Sequence, residues 1–409
     1  MWLYNLGISL YAGGIRLAAL WHGKARLWSE GRRNIFERME AAVRPSDRIV
    51  WVHAASLGEF EQARPIIERL RAEHPEYKIL LTFFSPSGYE IRKNYEGADY
   101  VFYLPADTPS NARRFLDIVH PEIAIFIKYE FWINLLSELR RRKVRSYIVS
   151  AIFRRNSVFF RPYGAMWRQA LETFDTLFVQ NVESKRLLSE IGFDNVVVAG
   201  DTRFDRVAQI AAAAQRVETI ERFRGGGRLF VAGSTWGPDE EILLPLVNAN
   251  PDVKFVIAPH EMDEGRIAHL MRDATGGAVR YTQCDAAPRF DDVQVLVLDT
   301  MGMLSSVYGS ATWAYVGGGF GVGIHNTLEA ATFGLPIAFG PNYGKFKEAR
   351  DMVSLGCAVS VRTAGELAAW FAPLRDDEET LRRASRTAKD YTARNQGATG
   401  IILRSIFNS

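Results

Sequence analysis

The residues of this chain whose types and spacing could do chemistry are two carboxylates and a glycine-rich loop. Glu59 closes the run His53-Ala54-Ala55-Ser56-Leu57-Gly58-Glu59, which reads as the end of an apolar strand and the first turn of a helix continued by Ala63, Ile66, Ile67 and Leu70. Parallel sheets bind ligands at the carboxyl ends of their strands, and a carboxylate there could accept a proton from a sugar hydroxyl. Glu130, in Lys128-Tyr129-Glu130-Phe131-Trp132-Ile133-Asn134, follows the run Ile123 to Ile127 in the same way. Each is also an ordinary first-turn or capping residue. Together at one sheet edge they fit acid/base chemistry or polyol binding.

The loop lies between Ala314 and Lys345. The strand Trp313 to Val316 runs into five glycines within seven residues, Ile324-His325-Asn326-Thr327-Leu328-Glu329 opens a helix, and Gly334-Leu335-Pro336 closes it. Glycines allow close approach of backbone to a ligand, and a helix N-terminus attracts an anion, typically a phosphate. Two familiar phosphate motifs fail by count. Ile324 stands where a dinucleotide fingerprint needs its third glycine, and Gly340-Pro341-Asn342-Tyr343-Gly344-Lys345 is one residue short of a P-loop. Three further loops belong to the same edge: Gly233-Ser234-Thr235 before a helix led by Pro238-Asp239-Glu240, Pro259-His260, and Asp299-Thr300-Met301-Gly302-Met303. Four converging loops describe a nucleotide-sized site of backbone N–H groups, hydroxyls and an acid, with no metal-binding cluster.

Composition sets bounds on the rest. The 409 residues suffice for two or three domains of about 150. Hydrophobic content of 47%, charged content of 24% and a net charge of +3 are those of a globular protein with no case for nucleic acid. Cys284 and Cys357 are too few for a disulfide framework and form no C-x-x-C, so a reducing compartment is expected. None of the seven histidines has a zinc-ligand spacing.

The elements that must position these residues alternate. Strand-length apolar runs at 48–53, 79–84, 101–104, 123–127, 146–149, 176–179 and 196–199, then 229–232, 254–258, 293–298, 313–316 and 336–339, are separated by helical segments. Such alternation means parallel sheets covered by helices, and two open sheets in one chain put their binding edges across a cleft. Before them, Trp2 to Trp21 is almost wholly apolar or small, interrupted by Asn5 and Arg16 and followed by Lys24, Arg26, Arg32 and Arg33. Charge after the run, with no cleavage site, reads as an anchor rather than a leader, lying in or tilted through the interface. A buried helix packed on its domain is the plain alternative. Arg154, Arg155 and Arg161 among Phe153, Phe159 and Phe160 read as a second surface for anionic lipid.

With these residues assembled, the chain resembles the Kdo (3-deoxy-D-manno-octulosonic acid) transferases, through Ser-x-Gly-Glu after the first strand, Glu-x-Trp-x-Asn, Ala-Gly-Ser-Thr, Asp-x-Met-Gly and His-Asn-x-Leu-Glu. The resemblance implies a GT-B fold of two Rossmann-like domains and inverting transfer of Kdo from CMP-Kdo to a lipid A precursor, without a cofactor or metal, at the cytoplasmic face of the inner membrane. The run of elements, with Gly225-Gly226-Gly227 as the best boundary, divides the chain into an anchor and linker over 1–43, an acceptor domain over 44–200, a connection over 201–227, a donor domain over 228–375, and C-terminal helices over 376–409 expected to pack back toward the first domain. The resemblance makes Glu59 the general base and Glu130 and Arg203 the groups that stabilise the transition state. Pro259, His260, Met301, Gly302, Met303, Asn326, Thr327, Leu328 and Glu329 would bind CMP, with Ser234 and Thr235 as further candidates for the donor phosphate. The family usually has arginine at His260, lysine at Arg203, glutamate at Met303 and proline at Thr327, and its Asn-Ala-Arg reads Ser150-Ala151-Ile152 here. Another nucleotide sugar as donor, or a lipid or sugar binder without catalysis, remain the alternatives.

Overall fold

A computed structural model describes residues 1–284 and 289–408. The chain forms two compact units, Met1–Arg206 with Gln396–Ser409, and Val207–Asn395. The division falls inside the helix Arg203–Ala213, and the helix Ala398–Phe407 belongs with the first unit.

The first unit is built on β1 (Ile49–His53), β2 (Lys78–Phe83), β3 (Tyr100–Tyr103), β4 (Ile123–Ile127), β5 (Arg145–Ala151), β6 (Thr176–Val179) and β7 (Val196–Val198). These strands form one sheet in the order β3-β2-β1-β4-β5-β6-β7. Every pairing is parallel, with Val50 opposite Ile123 and His53 opposite Phe126. All residues of β1 and β4 are buried, because helices cover both faces. Trp51, Phe115, Phe126 and Leu136 pack on one face; Val50, Val52, Phe60 and Ile66 pack on the other with Ile402 and Ile406 of the last helix. The order reverses between β1 and β4, the switch point at which such sheets leave a crevice.

The second unit repeats the plan with β8 (Leu229–Thr235), β9 (Lys254–Pro259), β10 (Ala278–Arg280), β11 (Val295–Val297), β12 (Trp313–Val316), β13 (Ile337–Phe339) and β14 (Ala358–Ser360). Their order is β10-β11-β9-β8-β12-β13-β14, again parallel, with the reversal between β8 and β12. The edge strands β10 and β14, absent from the sequence reading, have three residues each, too short to show a period.

The N-terminal run forms the helix Trp2–Ala18, which buries none of its residues fully. Its inner side is nevertheless pinned to the first unit. The Tyr4 hydroxyl donates to Asp107 Oδ2 at 2.6 Å, Asn134 Nδ2 donates to Asn5 Oδ1 at 2.9 Å, and Tyr11 stacks on Phe84. Burial pushes Asp107 up, against the hydrogen bonds it accepts from Tyr4 and from the backbone of Asn134 and Leu135. Trp2, Leu3, Leu6, Leu10 and Leu17 stay exposed, as do Leu20 and Trp21 beyond the helix. Among the described residues no helix is long and apolar enough to cross a membrane.

One surface reading needs correction. Phe153 and Phe159 are buried in the first unit's core, edge-on to one another and packed with Phe131. The arginines between them face outward, so the interleaving marks a chain passing over its own core, and Phe153 and Phe159 cannot meet acyl chains. Arg32, one of the basic residues after the anchor, donates to the carbonyls of Leu104 (2.8 Å), Phe84 (2.8 Å) and Trp28 (3.1 Å) and lies over the Trp28 ring. Its burial pushes the guanidinium down to about 9.

Candidate active site

In the first unit both carboxylates flank the switch point. Glu59 stands in the first turn of the helix Leu57–Glu73 that follows β1. Ser56 begins that helix, and instead of capping a backbone N–H its hydroxyl donates to the Glu59 carboxylate. Glu130 lies past β4, at the end of a turn that starts at Lys128, a residue in the left-handed region with φ of 61°. A non-glycine residue there is strained, and such strain gathers at functional sites. Glu130 Oε2 accepts from Trp132 Nε1 at 2.8 Å and meets His53 Nε2 at 3.1 Å. His53 is fully buried, with Nδ1 at 2.8 Å from Thr82 Oγ1 and 3.1 Å from the Thr82 carbonyl.

Arg203 joins this edge through buried polar groups. Its Nε and Nη2 donate to Asp201 Oδ2 at 2.9 and 2.8 Å, and its N–H donates to Oδ1 at 3.0 Å. Gln62, one turn beyond Glu59 on the same helix, donates to that Oδ1 at 2.9 Å. The backbone carbonyl of Gln62 takes the Thr202 hydroxyl at 2.7 Å, and Thr202 meets Ser150, another left-handed residue with φ of 54°. Burial alone would raise Asp201, but the Arg203 guanidinium and these donors hold it below the usual carboxylate range. The fold therefore ties Arg203 to the helix that carries Glu59. Neither His53 nor Asp201 is legible as part of a site: His53 meets Glu130 from a strand far back in the chain, and only the distant Gln62 shows that Asp201 is tied to the helix of Glu59.

In the second unit, Trp236, His260 and His325 follow β8, β9 and β12, and line a cavity of about 450 Å³ with Pro238, Asp239, Phe320 and the glycine loop. Ser234, with φ of 55°, is the strained residue at this edge. Two of the glycines are required by packing within the unit itself. A Cβ on Gly317 would fall 2.2 Å from the Ser234 carbonyl oxygen, and one on Gly319 would fall 2.6 Å from Gly340 backbone. They let loop backbone meet loop backbone. Thr235 is buried with its hydroxyl donating to Glu240 at 2.8 Å, so its side chain holds the turn. Asp239 accepts from Gly318 N–H, Tyr315 Oη–H and Trp236 N–H at 2.9, 2.7 and 2.9 Å.

The remaining candidates stand apart from that cavity's lining. Asn326 caps the short helix Thr327–Thr332 by accepting from Leu328 N–H at 3.1 Å, and its amide donates to Glu329 Oε1 at 2.9 Å. Ser305 donates to Glu329 Oε2 at 3.0 Å. Thr327 is buried, its hydroxyl without a partner among the described residues. Met301 is exposed, Gly302 has a left-handed φ of 85°, Met303 packs on the core and Pro259 ends β9 inside it. Among the described residues no group of three or more His, Cys, Asp and Glu side chains converges as a metal site would.

Two parallel sheets, each carrying its polar groups at the switch point, define a protein of the GT-B fold. The calicheamicin glycosyltransferase CalG4 superposes with a TM-score of 0.54 at 11% identity, covering 87% of this chain and 96% of that one. The UDP-GlcNAc 2-epimerase of Neisseria meningitidis superposes with 0.61 at 15%, covering 88% and 100%. At such identities the likeness is one of fold. In sequence, a family model described as 3-deoxy-D-manno-octulosonic-acid transferase (kdotransferase) matches residues 32–206. The 3-deoxy-D-manno-octulosonic acid transferase of Bordetella pertussis is 28% identical over 373 residues, 87% of this chain and 86% of that protein. In sequence, then, residues 32–206 match the Kdo transferase family model, and the chain is similar to Kdo transferases over most of its length.

Proposed function

We propose that the protein transfers Kdo from CMP-Kdo to a glucosamine hydroxyl of a lipid A precursor, with inversion, in a single displacement. Glu59 takes the proton of the acceptor hydroxyl as its oxygen attacks the anomeric carbon. The bond from that carbon to the CMP phosphate oxygen breaks, and CMP leaves with the electron pair. Glu130 and Arg203 stabilise the charge that develops. The second unit holds CMP, with His260 and the cavity beside it on the phosphate side. The exposed apolar face of the N-terminal helix meets the cytoplasmic leaflet, where the acceptor lies.

The observation that supports this reading is the placement of Glu59 and Glu130 just past the carboxyl ends of the two strands that flank the first unit's switch point, β1 and β4. The test is product mass after incubation of purified protein with CMP-Kdo and a lipid A precursor. Addition of Kdo is expected, and Glu59→Gln should abolish it while CMP still binds. Undiminished turnover in that variant removes Glu59 as base. Displacement of CMP by UDP at equal concentration would favour another donor.

A further inference from the structure

Three rings from three separate loops meet at the carboxyl edge of the second sheet. The His260 ring stacks on His325, centroids 4.3 Å apart and 28° between planes, and packs against Trp236 at 4.8 Å and 32°. Trp236 Nε1–H donates to His325 Nε2 at 3.2 Å. An indole N–H can only donate, so His325 Nε2 carries no proton and the ring's one proton sits on Nδ1. Burial, and then the adjacent His260, push His325 further from protonation. His260 is the exposed member of the stack and rests between the His325 imidazole and the Trp236 indole. The cavity they line, about 450 Å³, is of small-ligand size.

We propose that Trp236, His260 and His325 form a proton-linked clamp for the phosphate diester of the nucleotide-sugar donor. His325, locked neutral by Trp236, offers its Nδ1–H. His260 holds the phosphate as an imidazolium and takes up a proton when the ligand binds. The clamp rests on the donor reading above and adds to it two binding residues and a protonation state. Charged groups of the second unit belong to the elements beside His260. Asp239 lies under the glycine loop, Glu240 and Arg266 pair with each other at 2.8 Å, and Glu261 follows in the chain. Burial pushes Asp239 up, so it would titrate with the same sign and must be told apart from His260.

An imidazole changes charge between about pH 5 and 8, so affinity for an anion held this way falls as pH rises through that range. The probe is the monomethyl ester of cytidine 5′-monophosphate, whose single phosphate charge is constant over that range. Calorimetric titration of the full chain in buffers of different ionisation enthalpy reads both Kd and proton uptake. The expected result is Kd rising about tenfold between pH 6 and 8, with uptake of about half a proton per ligand bound near the middle of that range. His260→Gln should bind weakly with no such slope, and His260→Arg tightly with none. Trp236→Phe, which keeps a ring but frees His325 Nε2, should weaken binding at every pH. Binding without slope in the unaltered protein overturns the clamp and leaves the donor reading intact; a full slope in His260→Gln overturns it in favour of Asp239. Absence of binding at every pH, in protein whose circular dichroism is that of the folded chain, removes the donor reading and the clamp with it.

Discussion

His53 and Glu130 meet at 3.1 Å, Nε2 to Oε2, between adjacent strands at the first unit's switch point. The contact gives the Glu130 carboxylate a partner buried in the sheet, in addition to Trp132 from its own loop. His53 is in turn fixed by Thr82, whose hydroxyl also accepts from Trp51 Nε1 at 2.8 Å. Glu130 is thus oriented from strands β1 and β2, which fits a group that must face a developing charge without rearrangement.

His53→Ala should therefore act through Glu130 as the loss of a positioning residue. An error of about 1 Å in placing a catalytic group can cost about 10²-fold, so kcat should fall by that order while KM changes little. His53→Gln, which keeps a polar group in reach of Oε2, should recover part of the loss. Steady-state kinetics beside thermal melts checks this. Equal falls in kcat for both variants, tracking the melting temperature, would show a merely structural histidine.

The Asp201–Arg203 pair predicts a pH signature. Asp201 is held below its unfolded value, so its contribution to stability is complete above the ordinary carboxylate range and is lost as pH falls through the depressed folded value. Arg203→Ala leaves a buried carboxylate with Gln62 and one backbone N–H, at a cost near the low end for a broken buried pair, about 3 kcal/mol. Urea unfolding at pH 7 should show that loss, and the difference from the unaltered protein should shrink below about pH 4. A difference constant across pH would mean that Arg203 stabilises by packing alone.

The two sheets and the two carboxylates are legible in the sequence because both depend on local pattern. Continuous apolar runs such as Ile123 to Ile127 mark strands buried on both faces, and Glu59 and Glu130 fall where a run gives way to a helix. What escapes are contacts between distant segments. Nothing near Gly317 says that its neighbour is Ser234, and nothing near Trp236 says that its N–H reaches His325. Phe153 and Phe159 mislead for the same reason: arginines between phenylalanines have no helix or strand period, so the burial of the rings is decided by Phe131 and its neighbours.

The glycine loop offers a sharp contrast between neighbours. Gly319→Ala would drive a Cβ to within 2.6 Å of Gly340 backbone, which cannot give way as a side chain can. Overpacking of this kind costs about 1–3 kcal/mol and should displace the loop, weakening CMP binding. At Gly321 the nearest atom to an added Cβ lies 3.6 Å away, an ordinary contact. Gly321→Ala should leave both stability and CMP affinity nearly unchanged. Equal effects of the two substitutions, measured by denaturation and nucleotide titration, would mean the loop is shaped by something other than its approach to Gly340.

The N-terminal helix is held on one side and open on the other, and the two sides should fail separately. Tyr4→Phe removes a donor from Asp107, which keeps the N–H groups of Asn134 and Leu135 at 3.0 and 2.9 Å, so the loss should be about 1–2 kcal/mol. Its mark should be faster proteolysis near the N-terminus, with membrane binding retained, because the exposed apolar residues are untouched. Leu6→Glu with Leu10→Glu alters two exposed positions, 48% and 67% accessible, and should leave folding as it was. Each introduced carboxylate removes apolar area and is repelled by anionic lipid, so sedimentation with phosphatidylglycerol vesicles should fall at least tenfold. Turnover on a short-chain, water-soluble acceptor should persist in that double variant while turnover on vesicle-borne acceptor falls with binding. Full vesicle binding by the double variant would instead assign the exposed face of this helix to some contact other than lipid.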